Sequence, residues 1–152
     1  MGAIISFAHI LGEFEISKTI NQNIVFDLSA LRMHQKRAKK IGFVDFLDKY
    51  AAKQALERLS EVNRTFYSPA IIGSKACYWA KYLKMPSATL IEDNYELVAP
   101  NDDYDLVIHA MSLHWQNDPV GQLIQVRKLL KPDGLMLGFL LGGETLRELK
   151  SS

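Results

Sequence analysis

A run of ten residues with few polar side chains, YDLVIHAMSL from Tyr104 to Leu113, most constrains the fold of this chain. A strand with one face in water alternates apolar and polar residues, whereas a strand covered on both faces is apolar almost throughout. The run therefore predicts a central strand of a parallel sheet. Because parallel strands need crossover connections, helices should alternate with strands around it.

The neighbouring segments alternate in this way. PAII (69–72), ATLI (88–91) and GLMLGFLL (134–141) are predicted strands, and the predicted helices are SALRMHQKRAKK after Asp27, residues 44–62, residues 75–84 and DPVGQLIQVRKLL from Asp118. Asp118 is the expected N-cap with Pro119 at the first helical position, and Gly134 is expected to take a positive φ after the last helix. The pattern indicates an α/β fold of about four mostly parallel strands with flanking helices.

Apolar spacing also predicts which helical side chains are buried. The predicted inward residues are Val44, Leu47, Ala51, Ala55, Leu59 and Val62 in the second helix, Trp79 and Leu83 in the third, and Leu123, Val126 and Leu130 in the fourth. Cys77 is expected to be a small buried side chain. Arg32, Lys36, Lys39 and Lys40 share a face of the first helix, which is either a solvated surface or a lid or docking surface for an acidic partner.

Composition excludes several classes of function. A formal net charge of +1 gives no broad electrostatic footprint for nucleic acid. The single cysteine suits a reducing compartment, no secretory signal pattern is visible, and no apolar run reaches the roughly 18 residues that span a bilayer. We therefore expect a cytoplasmic protein without a membrane span. No metal site is expected, because His109 and His114 lie five apart and would face opposite sides of a regular strand.

One junction has the form of a ligand-binding turn. In IIGSKACYWAKYL (71–83), an apolar strand meets a helix at a single glycine, Gly73. Nucleotide-binding loops place glycines there so that the backbone can approach the ligand. Gly73 is therefore either a cofactor contact or an ordinary turn between a strand and a helix.

The second half of the chain carries a family resemblance. YDLVIHAMSLHWQNDPVGQLIQVRKLLKPDGLMLGFLLGGETLREL resembles class I S-adenosylmethionine-dependent methyltransferases, and within them the methyltransferase-like assembly factors of respiratory complex I and their α-proteobacterial relatives, with the biotin-pathway carrier-protein methyltransferases more distant. The resemblance covers residues 24 to 150. It implies a Rossmann-like methyltransferase domain at 24–152, incomplete and truncated, after an N-terminal extension at 1–23.

The resemblance also implies a site. Gly73, Asp93, Asn94 and Met111 match cofactor-binding positions for S-adenosylmethionine, with Asp93 at the position that contacts the adenine amino group, and His114 and Trp115 stand where side chains meet the substrate. The competing interpretations are a solvated loop acid for Asp93 and packed residues covering the end of the sheet for His114 and Trp115.

Departures from the family pattern are as informative. Lys75 and Cys77 stand where the family has glycines, and Ile71 where it has an acid, so side chains should occupy the space of the cofactor and weaken its binding. Only 20 residues, 84 to 103, precede YDLV, too few for two strands and a crossover helix. The strand order should therefore be ATLI, PAII, YDLVIHAM, GLMLGFLL.

Two functions of different classes follow. The chain is either a methyltransferase-type enzyme, with arginine hydroxylation implied by the assembly-factor resemblance, or a catalytically silent, assembly-type binding protein. GLMLGFLL resembles an interior strand covered on both faces, yet only GGETLRELKSS follows it. We therefore expect a free sheet edge that takes a protein partner or a second copy, unless AIISFAHILGEFEI (3–16) folds back over it.

Overall fold

The structure, a computed structural model, describes residues 25–42 and 45–142. These residues form four α-helices, four β-strands and one 3-10 turn. The elements are α1 (Leu28–Ile41), α2 (Phe46–Glu61), β1 (Pro69–Ile72), α3 (Ala76–Tyr82), β2 (Thr89–Ile91), β3 (Tyr104–Ala110), the 3-10 turn Leu113–Trp115, α4 (Pro119–Leu129) and β4 (Leu130–Phe139).

The four strands form one parallel sheet in the order β2-β1-β3-β4. Ile71 of β1 lies between Leu90 of β2 and Ile108 of β3, which confirms the predicted order. All seven residues of β3 are buried, as their apolar run predicts. The α/β class is confirmed, and β1 and β2 are neighbours because the short link between α3 and β3 has room for one strand only.

Helices cover both faces of the sheet. On one face, Trp79 of α3 and the alanines of α2 pack against Ile71 and Ile108. On the other face, Val126 of α4 packs in a cluster with Ala70 and Ile72. Successive residues of β1 thus point into opposite cores, as the two-residue period of a strand requires.

The buried face of α2 differs from the predicted one. Ala51 and Ala55 are buried as expected, but Leu47 is 42% exposed and Val62, at the C-cap, is 36% exposed. Asp48 is buried instead, and its carboxylate accepts hydrogen bonds from Trp79 Nε1 (3.1 Å) and Lys75 Nζ (2.5 Å). Asp48 thus takes an inward position that apolar spacing assigns to its neighbour Leu47. Val44 lies outside the described residues.

The start of α4 is as predicted. Asp118 caps it by accepting a hydrogen bond from the Gly121 backbone N–H (2.8 Å), and Pro119 is the first helical residue. Val126 is buried, but Leu123 is only half-buried, because the polar Gln122 takes the inward position. Leu130 is buried as predicted, although it begins β4 rather than ending the helix.

The turn inside β4 also differs in detail. The residue with positive φ is Asp133 (65°), not Gly134. Aspartate tolerates the left-handed region better than most residues do. A further correction concerns Cys77, which is exposed, whereas Trp79 and Leu83 are buried as expected.

The described sheet has two edges, since β2 pairs only with β1 and β4 only with β3. In β4, Leu137 and Phe139 are buried and their neighbours from Gly134 onward are half-buried, so the strand is less covered than its sequence predicts. Across the described ranges, no helix is long and apolar enough to cross a membrane. The extension at 1–23 and the segment GETLRELKSS (143–152) lie outside the described residues.

Candidate functional site

A cleft of about 270 Å³ opens at the carboxyl ends of β1 and β2. In open parallel α/β sheets, this is the side on which ligands bind. Four parts of the chain line it: the helix α1, the turn after β1, the loop after β2 and the end of the 3-10 turn. The lining residues are Leu31, Arg32, Gln35, Gly73, Ser74, Glu92, Asp93, Asn94, Tyr95, Trp115 and Gln116.

Gly73 forms the turn that leads from β1 into the cleft. Its φ is 143°, and a Cβ built on it would lie 2.8 Å from the Ala110 carbonyl oxygen. Its backbone N–H donates to the Ile91 carbonyl at 3.0 Å. Only glycine combines this conformation with such a close approach to β3. Gly73 therefore has a structural role, and its place in the wall of the cleft leaves the role of cofactor contact open.

The loop after β2 brings carboxylates to the cleft. Glu92 and Asp93 follow the last residue of β2, which pairs directly with β1, so both acids lie at the strand end next to the glycine turn. The Glu92 side chain accepts a hydrogen bond from Asn94 Nδ2 (3.2 Å). Gln116 Nε2 donates to the Asp93 carbonyl oxygen (2.8 Å). The loop that carries both acids is thus tied to Gln116, which also lines the cleft.

The helix α1 forms one side of the cleft, and we call it the lid. Its preceding residues are held by Asn117, whose Oδ1 accepts from the backbone N–H groups of Val25 (2.9 Å) and Phe26 (2.7 Å) and whose Nδ2 donates to the Phe26 carbonyl (3.1 Å). The Phe26 ring meets Trp115 edge-on, with centroids 5.8 Å apart. Through this attachment Arg32 reaches the cleft. The predicted basic face is therefore divided, because Lys36 and Lys40 are exposed and do not line the cleft.

Lys75 and Cys77 do not obstruct the cleft, which corrects the prediction made from their positions. Lys75 points toward α2, where its Nζ pairs with the buried Asp48 carboxylate at 2.5 Å. Cys77 is exposed on α3, and neither residue lines the cleft. Lys75 and Cys77 both face away from the cleft, because α3 begins directly after the turn at Gly73 and directs their side chains elsewhere.

The structure brings four of the six predicted site residues together, namely Gly73, Asp93, Asn94 and Trp115. Met111 lies elsewhere: with a φ of 55°, it follows β3 and packs against the core cluster beneath α2 and α3. His114 does not line the cleft either, but its ring lies 5.0 Å from that of Trp115. Burial lowers the pKa of His114. The functional role of each of the six stays a prediction.

Sequence reasoning missed most of the remaining cleft residues. Ser74 and Glu92 could have been found, because each is adjacent to a predicted site residue at a strand end. Leu31 and Gln35 could not, since their place depends on how α1 folds over the sheet. No group of His, Cys, Asp or Glu side chains that could hold a metal ion occurs in the part of the chain that the structure describes.

The sequence of the chain is similar to those of several curated proteins. The arginine-hydroxylase NDUFAF5, mitochondrial, of Danio rerio is 28% identical over 155 aligned residues, covering 84% of this chain and 48% of the relative. The protein of the same name from Homo sapiens is 28% identical over 132 residues, covering 71% and 38%. The malonyl-(acyl-carrier protein) O-methyltransferase of Halorhodospira halophila is 24% identical over 139 residues, covering 90% and 45%.

The chain spans less than half the length of these relatives. No family model matches it, and no solved structure is significantly similar. The relatives nevertheless agree with the architecture, because a parallel sheet flanked by helices is the core of a Rossmann-like methyltransferase fold. The similarity and the fold together support an S-adenosylmethionine methyltransferase-like family for this chain.

Proposed function

We propose that the cleft binds S-adenosylmethionine and that this chain forms the donor-binding part of a methyltransferase-like protein. One observation carries the proposal. The glycine turn at Gly73 and the carboxylates of Glu92 and Asp93 line the same cleft, at the ends of two paired parallel strands. A tight glycine turn next to a strand-terminal acid is the arrangement by which open α/β sheets hold nucleosides.

The cleft residues suit the parts of this cofactor. The Glu92 carboxylate can accept hydrogen bonds from ribose hydroxyl groups, the Asp93 carboxylate can accept one from the adenine amino group, and Asn94 offers an amide beside them. Trp115, 41% exposed at the mouth of the cleft, offers a ring on which adenine can stack. Arg32 is the cation in the lining, and a guanidinium binds a carboxylate such as that of the methionine part. A cleft of about 270 Å³ is close to the lower limit of roughly 300 Å³ for small-molecule sites.

When bound, the cofactor supplies a methyl group on a positively charged sulfur. The chain would contribute binding and orientation, because aligning donor and acceptor removes much of the entropic barrier to transfer. The acids would also favour the cationic ligand electrostatically, and the α1 lid would exclude water from it. No acceptor is assigned to this site.

Calorimetric titration with S-adenosylhomocysteine tests the proposal. With a single glycine in the turn and a small cleft, we expect a dissociation constant weaker than about 10 μM and measurable below about 1 mM. The double variant Glu92→Gln, Asp93→Asn should bind at least about tenfold more weakly, because an amide oxygen is a poorer acceptor than a carboxylate. As a control, the double variant Glu57→Gln, Glu61→Gln on α2 removes the same number of charges away from the cleft and should bind as the wild type does. Absence of binding at millimolar ligand would overturn the proposal.

A second candidate function is assembly-type binding without methyl transfer. It is favoured by exposed apolar side chains beside the cleft, Leu90 on the edge strand β2 and Val98 in the following loop, which are 49% and 87% exposed. An unpaired edge with apolar side chains can receive a strand of another chain. A protein partner or a second copy, bound through a sheet edge, is therefore proposed for this class.

Two further experiments separate these functions. Transfer of a labelled methyl group to proteins of the source cell would support the enzyme, and so would hydroxylation of arginine, the activity in the name of the NDUFAF5 relatives. Cofactor-independent complex formation that Leu90→Lys abolishes would support the binding protein.

We propose the cytoplasm as the compartment, because the chain has a single cysteine. The NDUFAF5 relatives are named mitochondrial. Imaging of the tagged full-length protein decides between the two compartments.

A further inference from the structure

The loop that forms one wall of the cleft is held by three glutamine side chains. Residues 92–98 after β2 have no regular secondary structure, so their backbone groups need partners other than a strand ladder. Gln116 Nε2 donates to the Asp93 carbonyl at 2.8 Å. Gln122 Nε2 donates to the carbonyls of Asn94 (2.6 Å) and Tyr95 (3.0 Å). Three consecutive carbonyl groups of the cleft wall are thus bound by side chains from outside the loop.

The third glutamine closes the loop at its far end. Gln125 Nε2 donates to the Tyr95 carbonyl at 2.9 Å, while its Oε1 accepts from the Leu97 backbone N–H at 2.8 Å. Glutamine can do this because its amide carries both donors and an acceptor. Gln122 and Gln125 both belong to α4, which packs on the sheet through Val126. The position of the wall is therefore linked to the core of the protein.

Gln122 is buried, and its side-chain oxygen can accept a hydrogen bond from the buried His109. Gln122 is 1% exposed, and because both of its loop partners are carbonyl oxygens, its amide nitrogen must face the loop and its Oε1 must face inward. Gln122 Oε1 and His109 Nε2 are both buried, and neither has a hydrogen-bond partner among the described residues. Burial lowers the pKa of His109 to about 4, and hydrogen bonding to Gln122 opposes this shift. At neutral pH the imidazole is uncharged and can offer its Nε2–H to that oxygen, while its Nδ1 lies 3.3 Å from Ser112 Oγ.

We infer that Gln122, together with Gln116 and Gln125, is a positioning residue that holds the cleft wall in its ligand-binding conformation. The inference rests on the proposed function, because it assigns the wall to the cofactor site. With its carbonyl groups turned toward the glutamines, the wall presents the side chains of Asp93 and Asn94 to the cleft. Without the glutamines, the free loop would sample other conformations, and a ligand would bind only to the fraction that is correctly formed.

Gln122→Glu tests the inference with almost no change in size. A carboxylate cannot donate to the two carbonyl groups, so the wall should detach while α4 and the sheet remain. In the ligand-free protein, hydrogen exchange of residues 92–98 should accelerate at least about tenfold, with β1 and β3 unchanged. The affinity for S-adenosylhomocysteine should fall in proportion to the fraction of molecules whose wall stays correctly formed, so about tenfold if one molecule in ten keeps it. Gln54→Glu on α2 adds the same charge away from the loop and should leave both measurements unchanged.

A saturating concentration of S-adenosylhomocysteine should restore the protection of residues 92–98 in the Gln122→Glu protein, because binding and loop ordering are linked. A merely structural defect would not be reversed by the ligand. If Gln122→Glu fails to fold, Gln125→Glu applies the same test, since it loses only the bond to Tyr95 and keeps its acceptor for Leu97.

Unchanged exchange of residues 92–98 in a folded Gln122→Glu protein would overturn the inference. An unchanged affinity in a Gln122→Glu protein whose wall is mostly open would overturn it too, because the wall would then not matter for binding. If the wild type does not bind S-adenosylhomocysteine at all, the proposed function fails. The exchange of the ligand-free loop then still reports whether the glutamines hold it, so the two failures are distinguishable.

Discussion

The carbonyl oxygen of Ala110 lies 2.8 Å from the point where a Cβ on Gly73 would stand. Gly73, which follows β1, therefore lies too close to the end of β3 for any side chain, which explains why a glycine is needed there in the absence of any ligand. With φ at 143°, the backbone would also be strained for any other residue.

Gly73→Ala should therefore lower the free energy of unfolding by about 2 kcal/mol or more, from strain and overlap together. Gly42→Ala is the matched control, because Gly42 also has a positive φ (127°) but no atom lies within 4 Å of its Cβ position. That variant should lose only about 1 kcal/mol. Urea unfolding measures both. Equal losses would show that the approach to Ala110 is not important for stability.

A second prediction concerns Lys75, which the family pattern would replace with glycine. Lys75→Gly should not improve cofactor affinity, because the lysine pairs with Asp48 on α2 and leaves the cleft free. It should instead destabilise the protein by about 1–3 kcal/mol, since the buried carboxylate loses its cation and, among the described residues, keeps the Trp79 N–H as its partner. Calorimetry and urea unfolding report the two effects. Tighter binding of S-adenosylhomocysteine by Lys75→Gly would contradict the observed direction of the side chain.

The pH dependence of stability should report His109. Burial first, and then the nearby His114, lower the pKa of His109 to about 4, while hydrogen bonding to Gln122 opposes them. The unfolded state has the ordinary value of about 6.5 and binds the proton first as pH falls. Stability should thus decrease between about pH 6.5 and pH 4, by about 3 kcal/mol in total.

Unfolding curves measured between pH 7 and pH 4 test this dependence. A His109→Gln variant should lack this part of the slope, although it is less stable at every pH. His114→Gln is the comparison, because His114 is only half-buried and its pKa is lowered as well. If His109→Gln and His114→Gln both retain the full wild-type dependence of stability on pH, His109 is not the cause of that dependence.

The attachment of the lid is the fourth testable feature. Asn117→Ala removes the hydrogen bonds to Val25 and Phe26, so α1 should detach from the cleft while the sheet remains. Hydrogen exchange in residues 25–42 should increase several-fold, and the four strands should exchange as in the wild type. Asn63→Ala, in the exposed segment after α2, is the control. Full protection of α1 in Asn117→Ala would mean that other contacts hold the lid.

The sequence predicted the sheet well because its strands have strong local signals. The continuous apolar run of β3 predicted a central strand, and the strand order followed from the family resemblance together with the short link before β3. The buried face of α2 was predicted less well, because the polar pair of Asp48 and Lys75 outweighs apolar spacing there.

In the candidate site, only residues that come soon after the end of a strand were predicted. Gly73 and Trp115 were predicted from their places after strands, and Asp93 from the family resemblance; all three line the cleft. Arg32 and the glutamine contacts to residues 93–97 depend on how α1 and α4 fold over the sheet. Such contacts join residues about 20 or more positions apart, which no local pattern encodes.

The most direct test of cofactor binding in this cleft is an amide chemical-shift map of the labelled full-length protein during titration with S-adenosylhomocysteine. We predict saturable shifts at Gly73, Ser74, Asp93 and Asn94, and at the indole N–H of Trp115, with the exposed end of α2 unchanged. Absence of shifts at millimolar ligand, or shifts confined to residues away from the ends of β1 and β2, would contradict the account.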